Sequence, residues 1–205
     1  MQGNIFVISA ASGTGKTTLI SRLLQHHADI RVSVSHTTRA PRRGEENGKH
    51  YHFVSVPEFE RMIEDSQFVE YARVYGNYYG TSTQSLEGLT RQGVDVILEI
   101  DTQGAEQIRR QLPQAHSIFI APPSLHTLEQ RLRQRAADTP EVIARRLAEA
   151  RSEIEQAALF DYLVVNDDLV AAENALLHII KSQRFRRENQ EPVVHQLLAG
   201  SGENA

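Results

Sequence analysis

The chain contains no cysteine. That excludes a disulfide framework, a thiolate metal site and a cysteine nucleophile. Its longest apolar runs are about six residues, far short of the ~20 that a membrane-spanning helix needs. The first residues, Met1-Gln2-Gly3-Asn4, carry neither the basic region nor the apolar stretch of a secretory signal. A cytoplasmic protein without a membrane partner is therefore expected. Lysine is scarce as well: of 22 basic residues only Lys16, Lys49 and Lys181 are lysine, and the rest are arginine. Arginine forms the better bidentate pairs with phosphate and carboxylate, which draws attention to the position of Lys16. A formal net charge of −4 argues against nucleic acid as the main partner. What remains is ordinary for one globular unit: 205 residues, 40% hydrophobic and 23% charged, enough for a sizeable core.

Along the chain, residues 4–10 read as a short buried strand. A glycine-rich turn follows, and residues 17–26 read as a helix with Leu19, Ile20, Leu23 and Leu24 on one stripe. Residues 31–35 add a second strand, so strand, helix and strand open a parallel α/β sheet. The rhythm changes over residues 35–81. A polar, turn-rich run (39–50) precedes a strand-like 51–54, a short helix over 57–65, a strand over 68–74 and a turn over 75–80. Five of the six tyrosines fall between Tyr51 and Tyr79. This stretch reads as a small lobe inserted into the sheet.

The alternation then resumes. Helices are expected over 83–92, 104–112 and 125–135, and strands over 94–100, 116–120 and 162–165. After a break at 136–139, a helix to 156 carries Ile143, Leu147, Ala150 and Ile154 on one stripe. Either Asp138 with Glu141, or Thr139 with Pro140, would start it. A long last helix is expected over 169–187, with Lys181, Arg184, Arg186 and Arg187 as a solvated helix end or subunit contact. The tail after Gly200 is expected to fray.

The strongest local signal is Gly15-Lys16-Thr17 between a strand and a helix. The full phosphate-loop pattern is G-x-x-x-x-G-K-[ST], and Ala10 stands at its first position. The physical logic survives, since an alanine there asks only that the residue not need positive φ. Backbone N–H groups can curl round phosphate oxygens at a helix N-terminus. Lys16 would bridge the β- and γ-phosphates, and Thr17 would offer its hydroxyl to Mg2+.

A kinase also needs a site that holds its acceptor. Arg39 and Arg42 lie three apart around Pro41, with Tyr51 and Tyr79 as neutral hydroxyl donors, a set suited to an acceptor phosphate. Glu99 and Asp101 lie two apart at a strand end, so both carboxylates share one face, at the edge where open α/β sheets bind ligands. The nine histidines form no metal-binding spacing with an acid between them, and His36 is expected to pack or face solvent.

Four stretches carry a family resemblance: residues 9–17; Ser35-His36-Thr37-Thr38-Arg39-Ala40-Pro41-Arg42 with Gly44-Glu45 and Asn47-Gly48; Gly76-Asn77-Tyr78-Tyr79-Gly80-Thr81; and Glu99-Ile100-Asp101 with Gln103-Gly104. In these the chain resembles the guanylate kinases from about residue 4 to about residue 187. The resemblance implies an α/β fold of the P-loop nucleoside monophosphate kinase type, a parallel sheet core flanked by helices. It implies a core (1–34, 82–125, 157–205), an inserted GMP-binding lobe (35–81) and a helical lid (126–156). It implies transfer of the γ-phosphate of ATP to GMP, and to dGMP, with Mg2+. ATP would be bound by Ala10, Ala11, Ser12, Gly13, Thr14, Gly15, Lys16, Thr17 and Thr18, with Arg131 and Asn166. GMP would be bound by Ser35, Arg39, Arg42, Tyr51, Glu70, Tyr79, Thr81, Glu99 and Asp101, with Ser35, Glu70 and Thr81 reading the guanine.

The catalytic set implied is Lys16, Arg39, Arg135, Arg146 and Asp101. Asp101 would reach the Mg2+ held by Thr17 through water, although the resemblance does not decide between it and Glu99 for that contact. The base-reading role makes physical sense, because Glu70 can accept from both N1–H and the 2-amino group of guanine and adenine offers neither. Ala136 stands where a glycine is commoner, so a stiffer lid hinge is expected. A homo-oligomer is left open. The rivals are a kinase of the same fold with another phosphorylated acceptor and a non-catalytic, guanylate-kinase-like interaction domain. Against the second stand Lys16, Thr17 and Asp101. A regulatory GTPase lacks support because its N/T-K-x-D run is absent.

Overall fold

Phe6 and Ile8 point to one side of the first strand and Val7 to the other, and all three are buried. A strand buried on both faces belongs in the middle of a parallel sheet. The computed structural model describes residues 2–74, 76–134 and 139–199. In order it runs β1 (Ile5–Ala10), α1 (Lys16–His26), β2 (Ile30–Val32), β3 (His36–Thr37), β4 (His52–Phe53), α2 (Val56–Glu64), β5 (Phe68–Val74), β6 (Asn77–Ser82), α3 (Thr83–Thr90), β7 (Asp95–Glu99), α4 (Thr102–Gln111), β8 (His116–Ala121), α5 (Leu125–Gln134), α6 (Pro140–Glu155), β9 (Tyr162–Val165), α7 (Leu169–Gln183) and α8 (Arg187–Ala199).

The main sheet is parallel, in the order β2-β7-β1-β8-β9. On one face Phe6 and Ile8 meet Leu19, Ile20 and Leu23 of α1 and Ala172, Leu176 and Ile180 of α7. On the other, Val7, Val96 and Leu98 meet Leu86 of α3 and Ala105 and Ile108 of α4. A third cluster joins Ala11, Phe119 and Ala121 to Leu128 and Leu132 of α5 and Ile143 and Ala150 of α6. Each fully buried Leu, Ile or Phe contributes ~1.5–3 kcal/mol, so these layers fix the strand ends. Ile8 pairs with Glu99 across β1 and β7. The loop after Ala10 and the Glu99 carboxylate therefore share the C-terminal edge of the sheet.

A second sheet, β4-β3-β6-β5, is built from residues 36–82. Here the expected turn over 75–80 is wrong. Residues 77–82 form β6, antiparallel to β5, with Val74 opposite Asn77 and only two residues between the strands. Gly80 lies in that strand, not at a turn. A Cβ on it would sit 3.0 Å from Phe59, from Phe68 and from the Glu70 carbonyl oxygen. The expected strand over 31–35 is also shorter. After a last ladder bond from Ser33 N–H to the Ile97 carbonyl, the chain crosses to the second sheet.

Thr139 caps α6, accepting from the Val142 N–H with Pro140 in the first turn; Asp138 lies outside the described residues. The last helix is two helices. α7 ends at Gln183, and Asn189 and Gln190 side chains cap the freed carbonyls of Gln183 and Arg184, both at 2.7 Å. Lys181 pairs with Asp29, and Arg184 donates to the fully buried Asp95 at 2.9 Å, so these two are structural ties and not a solvated end. Arg186 and Arg187 pair with Glu188 and Glu191. The expected frayed tail lies outside the described residues. No helix among the described residues is long and apolar enough to cross a membrane.

Candidate active site

The loop leaving β1 closes on itself through Thr14, whose N–H and hydroxyl both donate to the Ala11 carbonyl, at 3.1 and 2.6 Å. Gly15 then starts α1 at φ 96°, in the left-handed region that side chains avoid. This turn aims the first N–H groups of α1, and Lys16, into a cleft of about 600 Å³. All of Ala10, Ala11, Ser12, Gly13, Thr14, Gly15, Lys16, Thr17 and Thr18 line it.

Lys16 donates to the Ile100 carbonyl at 3.2 Å and lies 3.9 Å from Glu99. Burial pushes its ammonium pKa down, while Glu99, Asp101 and Glu153 pull it back up. Thr17 Oγ1 donates to Glu99 Oε1 at 2.7 Å. Asp101 also faces the cleft, and it caps α4 by accepting from the Gly104 N–H at 2.8 Å. The two carboxylates thus share one face, with Glu99 the nearer to the loop hydroxyl.

The back of the loop is clamped. The buried Asn166 amide donates to the Thr14 carbonyl at 2.8 Å, and Arg131 donates to the Thr14 and Asn166 carbonyls at 3.3 and 3.1 Å. Arg146 donates to Ser12 Oγ at 3.2 Å. Asp168, two residues beyond Asn166, caps α7. The Asn-Asp-Asp run therefore serves both the loop and a helix start.

Across the cleft stand Ser35, Tyr51, Glu70 and Tyr79. Glu70 is buried, and Thr81, fully buried behind it, donates to Glu70 Oε1 at 2.6 Å. Burial raises the Glu70 carboxyl to about 7, against the pull of the Thr81 hydroxyl. Arg39 lies over the Tyr51 ring, 5.4 Å from its centroid, and forks onto both oxygens of Glu45 at 2.9 Å. That fork holds the Glu45 carboxyl down at about 2, and the Arg42 backbone N–H adds to it. The Arg42 side chain is exposed and outside the cleft lining. Arg135 lies outside the described residues. His36 stacks on His52 with ring centroids 4.6 Å apart, and burial holds it neutral, its pKa lowered to about 4.

Two contributors had no assigned role in the sequence. Glu45 belongs to a quoted motif, and its bidentate use of Arg39 needs the folded turn to be seen. Glu153 lines the cleft and accepts from the Ser12 N–H at 3.0 Å. The sequence places it only on a face, seven residues after Arg146 and two helical turns along α6; its Ser12 partner is set by the fold.

A family profile described as "Guanylate kinase" matches residues 2–183. A guanylate kinase of Neisseria gonorrhoeae is 60% identical over 200 residues, covering 98% of this chain and 98% of the relative. One of Mannheimia succiniciproducens is 50% identical over 205 residues, covering 97% and 99%. The crystal structure of guanylate kinase from Anaplasma phagocytophilum matches with a TM-score of 0.73 at 35% identity, over 91% of this chain and 88% of that one.

Proposed function

The chain belongs to the guanylate kinase family and is an ATP-dependent GMP phosphotransferase, and we propose how the cleft beside the phosphate loop does this work. The observation that carries the reading is that the phosphate loop and the buried Glu70 carboxylate line the same cavity. A triphosphate on residues 10–18 and a guanine at Glu70 leave the acceptor phosphate between them, near Arg39, Tyr51 and Tyr79. Arg42, whose side chain is exposed, would fold onto that phosphate. Residues 35–81 then act as the GMP lobe, residues 126–156 as the lid, and the remainder as the core.

In the reaction an oxygen of the GMP phosphate attacks the γ-phosphorus in line. A new P–O bond forms, the bond to the β–γ bridging oxygen breaks, and ADP leaves. The acceptor oxygen is already anionic, so the protein mainly positions the partners and neutralises charge. Lys16 serves the β- and γ-phosphates, Arg39 the acceptor phosphate, and Arg146 and Arg135 the charge on the transferring group. Asn166 and Arg131 keep the loop shaped for ATP. Ser35 and Thr81 complete the reading of the guanine edge, with Thr81 also orienting Glu70. dGMP presents the same base and phosphate and is expected as a second acceptor.

The donor set fits Mg2+. The Thr17 hydroxyl and Glu99 carboxylate meet at 2.7 Å with Asp101 on the same face, and hard oxygens are what Mg2+ takes. Thr17 would hold the ion directly, and Glu99 and Asp101 through its water shell. Such an ion commonly needs only one or two protein oxygens beside the substrate phosphates. When bound it supplies charge neutralisation at the β- and γ-oxygens.

A cytoplasmic setting without nucleic-acid or membrane partners suits small nucleotide substrates and a net charge of −4. A kinase of this fold with another acceptor would have no use for the Glu70–Thr81 pair. An interaction domain would have no use for Lys16 and Thr17. ADP release that depends on GMP tests the reading.

A further inference from the structure

Glu153 is a carboxylate in a phosphate-binding place. It lies in the last turn of α6, reaches back to the loop, and its Oε2 accepts from the Ser12 N–H at 3.0 Å. Arg146, two turns earlier on the same helix, donates to the hydroxyl of that same serine. Lys16 lies close enough for its charge to act on Glu153, and Glu153 to act on Lys16. Burial pushes the Glu153 carboxyl up from its ordinary value, with the Ser12 N–H the largest influence pulling it back. An anion, a loop N–H and a lysine are the elements of a bound phosphate. Here the anion belongs to the protein.

We propose that Glu153 is a competing occupant of the donor-phosphate site: its carboxylate holds the Ser12 N–H that an ATP phosphate oxygen would take, so ATP binds by displacing it. The proposal rests on the reading of residues 10–18 as the ATP phosphate loop. It makes Glu153 a positioning residue that sets a threshold for donors. A polyphosphate, with several charges and many loop contacts, overcomes the single carboxylate, whereas a lone small anion does not. Displacement also frees the end of α6 from the loop, so donor arrival and movement of the lid helix become one event.

The test uses tripolyphosphate, which lacks the base and sugar, and ATP without metal, each titrated calorimetrically into the full chain. Glu153→Gln keeps the shape but leaves only a neutral hydrogen bond to displace, so both ligands should bind about tenfold tighter than to wild type. Glu149→Gln removes the same charge one turn away from an exposed pair with Arg145 and should change affinity less than about twofold. Equal or weaker binding by Glu153→Gln, or the same gain from Glu149→Gln, overturns the proposal.

A second readout needs no variant beyond those used to assign the resonance. In wild type the Glu153 side-chain carbonyl signal should move to the position of a solvent-exposed glutamate when tripolyphosphate binds. A signal that stays put in the bound protein overturns displacement even if Glu153→Gln does not fold. Failure of the underlying reading looks different: Lys16→Ala would then leave tripolyphosphate affinity unchanged in both the wild-type and Glu153→Gln backgrounds.

Discussion

The Thr81 hydroxyl donates to Glu70 Oε1 at 2.6 Å across the β5–β6 hairpin, with both residues buried. One carboxylate oxygen is thus held from behind while the group faces the cleft. The first prediction follows from that arrangement. Glu70→Gln can accept only one of the two guanine N–H bonds and sets an amide N–H against the other. It should raise the KM for GMP by about 10- to 100-fold, the cost of losing a charge-assisted hydrogen bond, with the KM for ATP within about twofold. Steady-state kinetics with each substrate varied in turn checks it.

The raised Glu70 carboxyl has a pH signature. Its folded value is about 7 against an ordinary 4.5, so between these values the folded chain holds a proton that the unfolded chain has lost. Its contribution to stability therefore falls as pH rises from about 4.5 through 7. Guanine needs the ionised form. GMP should bind wild type about tenfold more weakly at pH 6 than at pH 8 on account of Glu70 alone. The GMP phosphate itself titrates near 6, so the difference between wild-type and Glu70→Gln profiles isolates the effect. Superimposable profiles would contradict it.

Asn166→Ala should loosen the loop from behind. It removes the 2.8 Å bond to the Thr14 carbonyl but leaves the 3.3 Å bond from Arg131. The KM for ATP should rise by about 3- to 10-fold, while the KM for GMP stays near wild type. An effect on GMP alone would place Asn166 outside the donor site.

Asp95 is fully buried and accepts from the Asn4 N–H and from Arg184, each at 2.9 Å. Asp95→Ala leaves Arg184 with a 3.3 Å bond to the Gly93 carbonyl and a longer 3.5 Å contact to Asp29, and no carboxylate at hydrogen-bond distance. It should cost about 3 kcal/mol, a fall in Tm on the order of 10 °C for a chain of this size, with kinetic constants little changed below the transition. Calorimetric melting tests it.

These residues also mark what could be read before folding. Lys16 and Thr17 were legible because a strand, a glycine turn and a helix occur in the order a phosphate loop requires. Glu99 and Asp101 were legible as a same-face pair because a strand alternates with period two. Gly80 misled, because a glycine that admits Phe59 and Phe68 at close range looks in sequence like a turn. Arg131 is expected among the ATP-binding residues, and its bonds to the Thr14 and Asn166 carbonyls are visible only in the fold. Glu153 and Asp95 escaped because their partners are distant in sequence: a backbone N–H 141 residues away for Glu153, and an arginine 89 residues away for Asp95. No local pattern encodes such contacts.

The most direct measurement is ADP release from ATP–Mg2+ with GMP, AMP, CMP and UMP supplied in turn. A site built to pair a buried carboxylate with guanine rejects bases that leave it unpaired, so GMP should stimulate release at least about a hundredfold more than any of the others. Equal stimulation by AMP, or none by GMP in protein shown to bind ATP, would contradict the account.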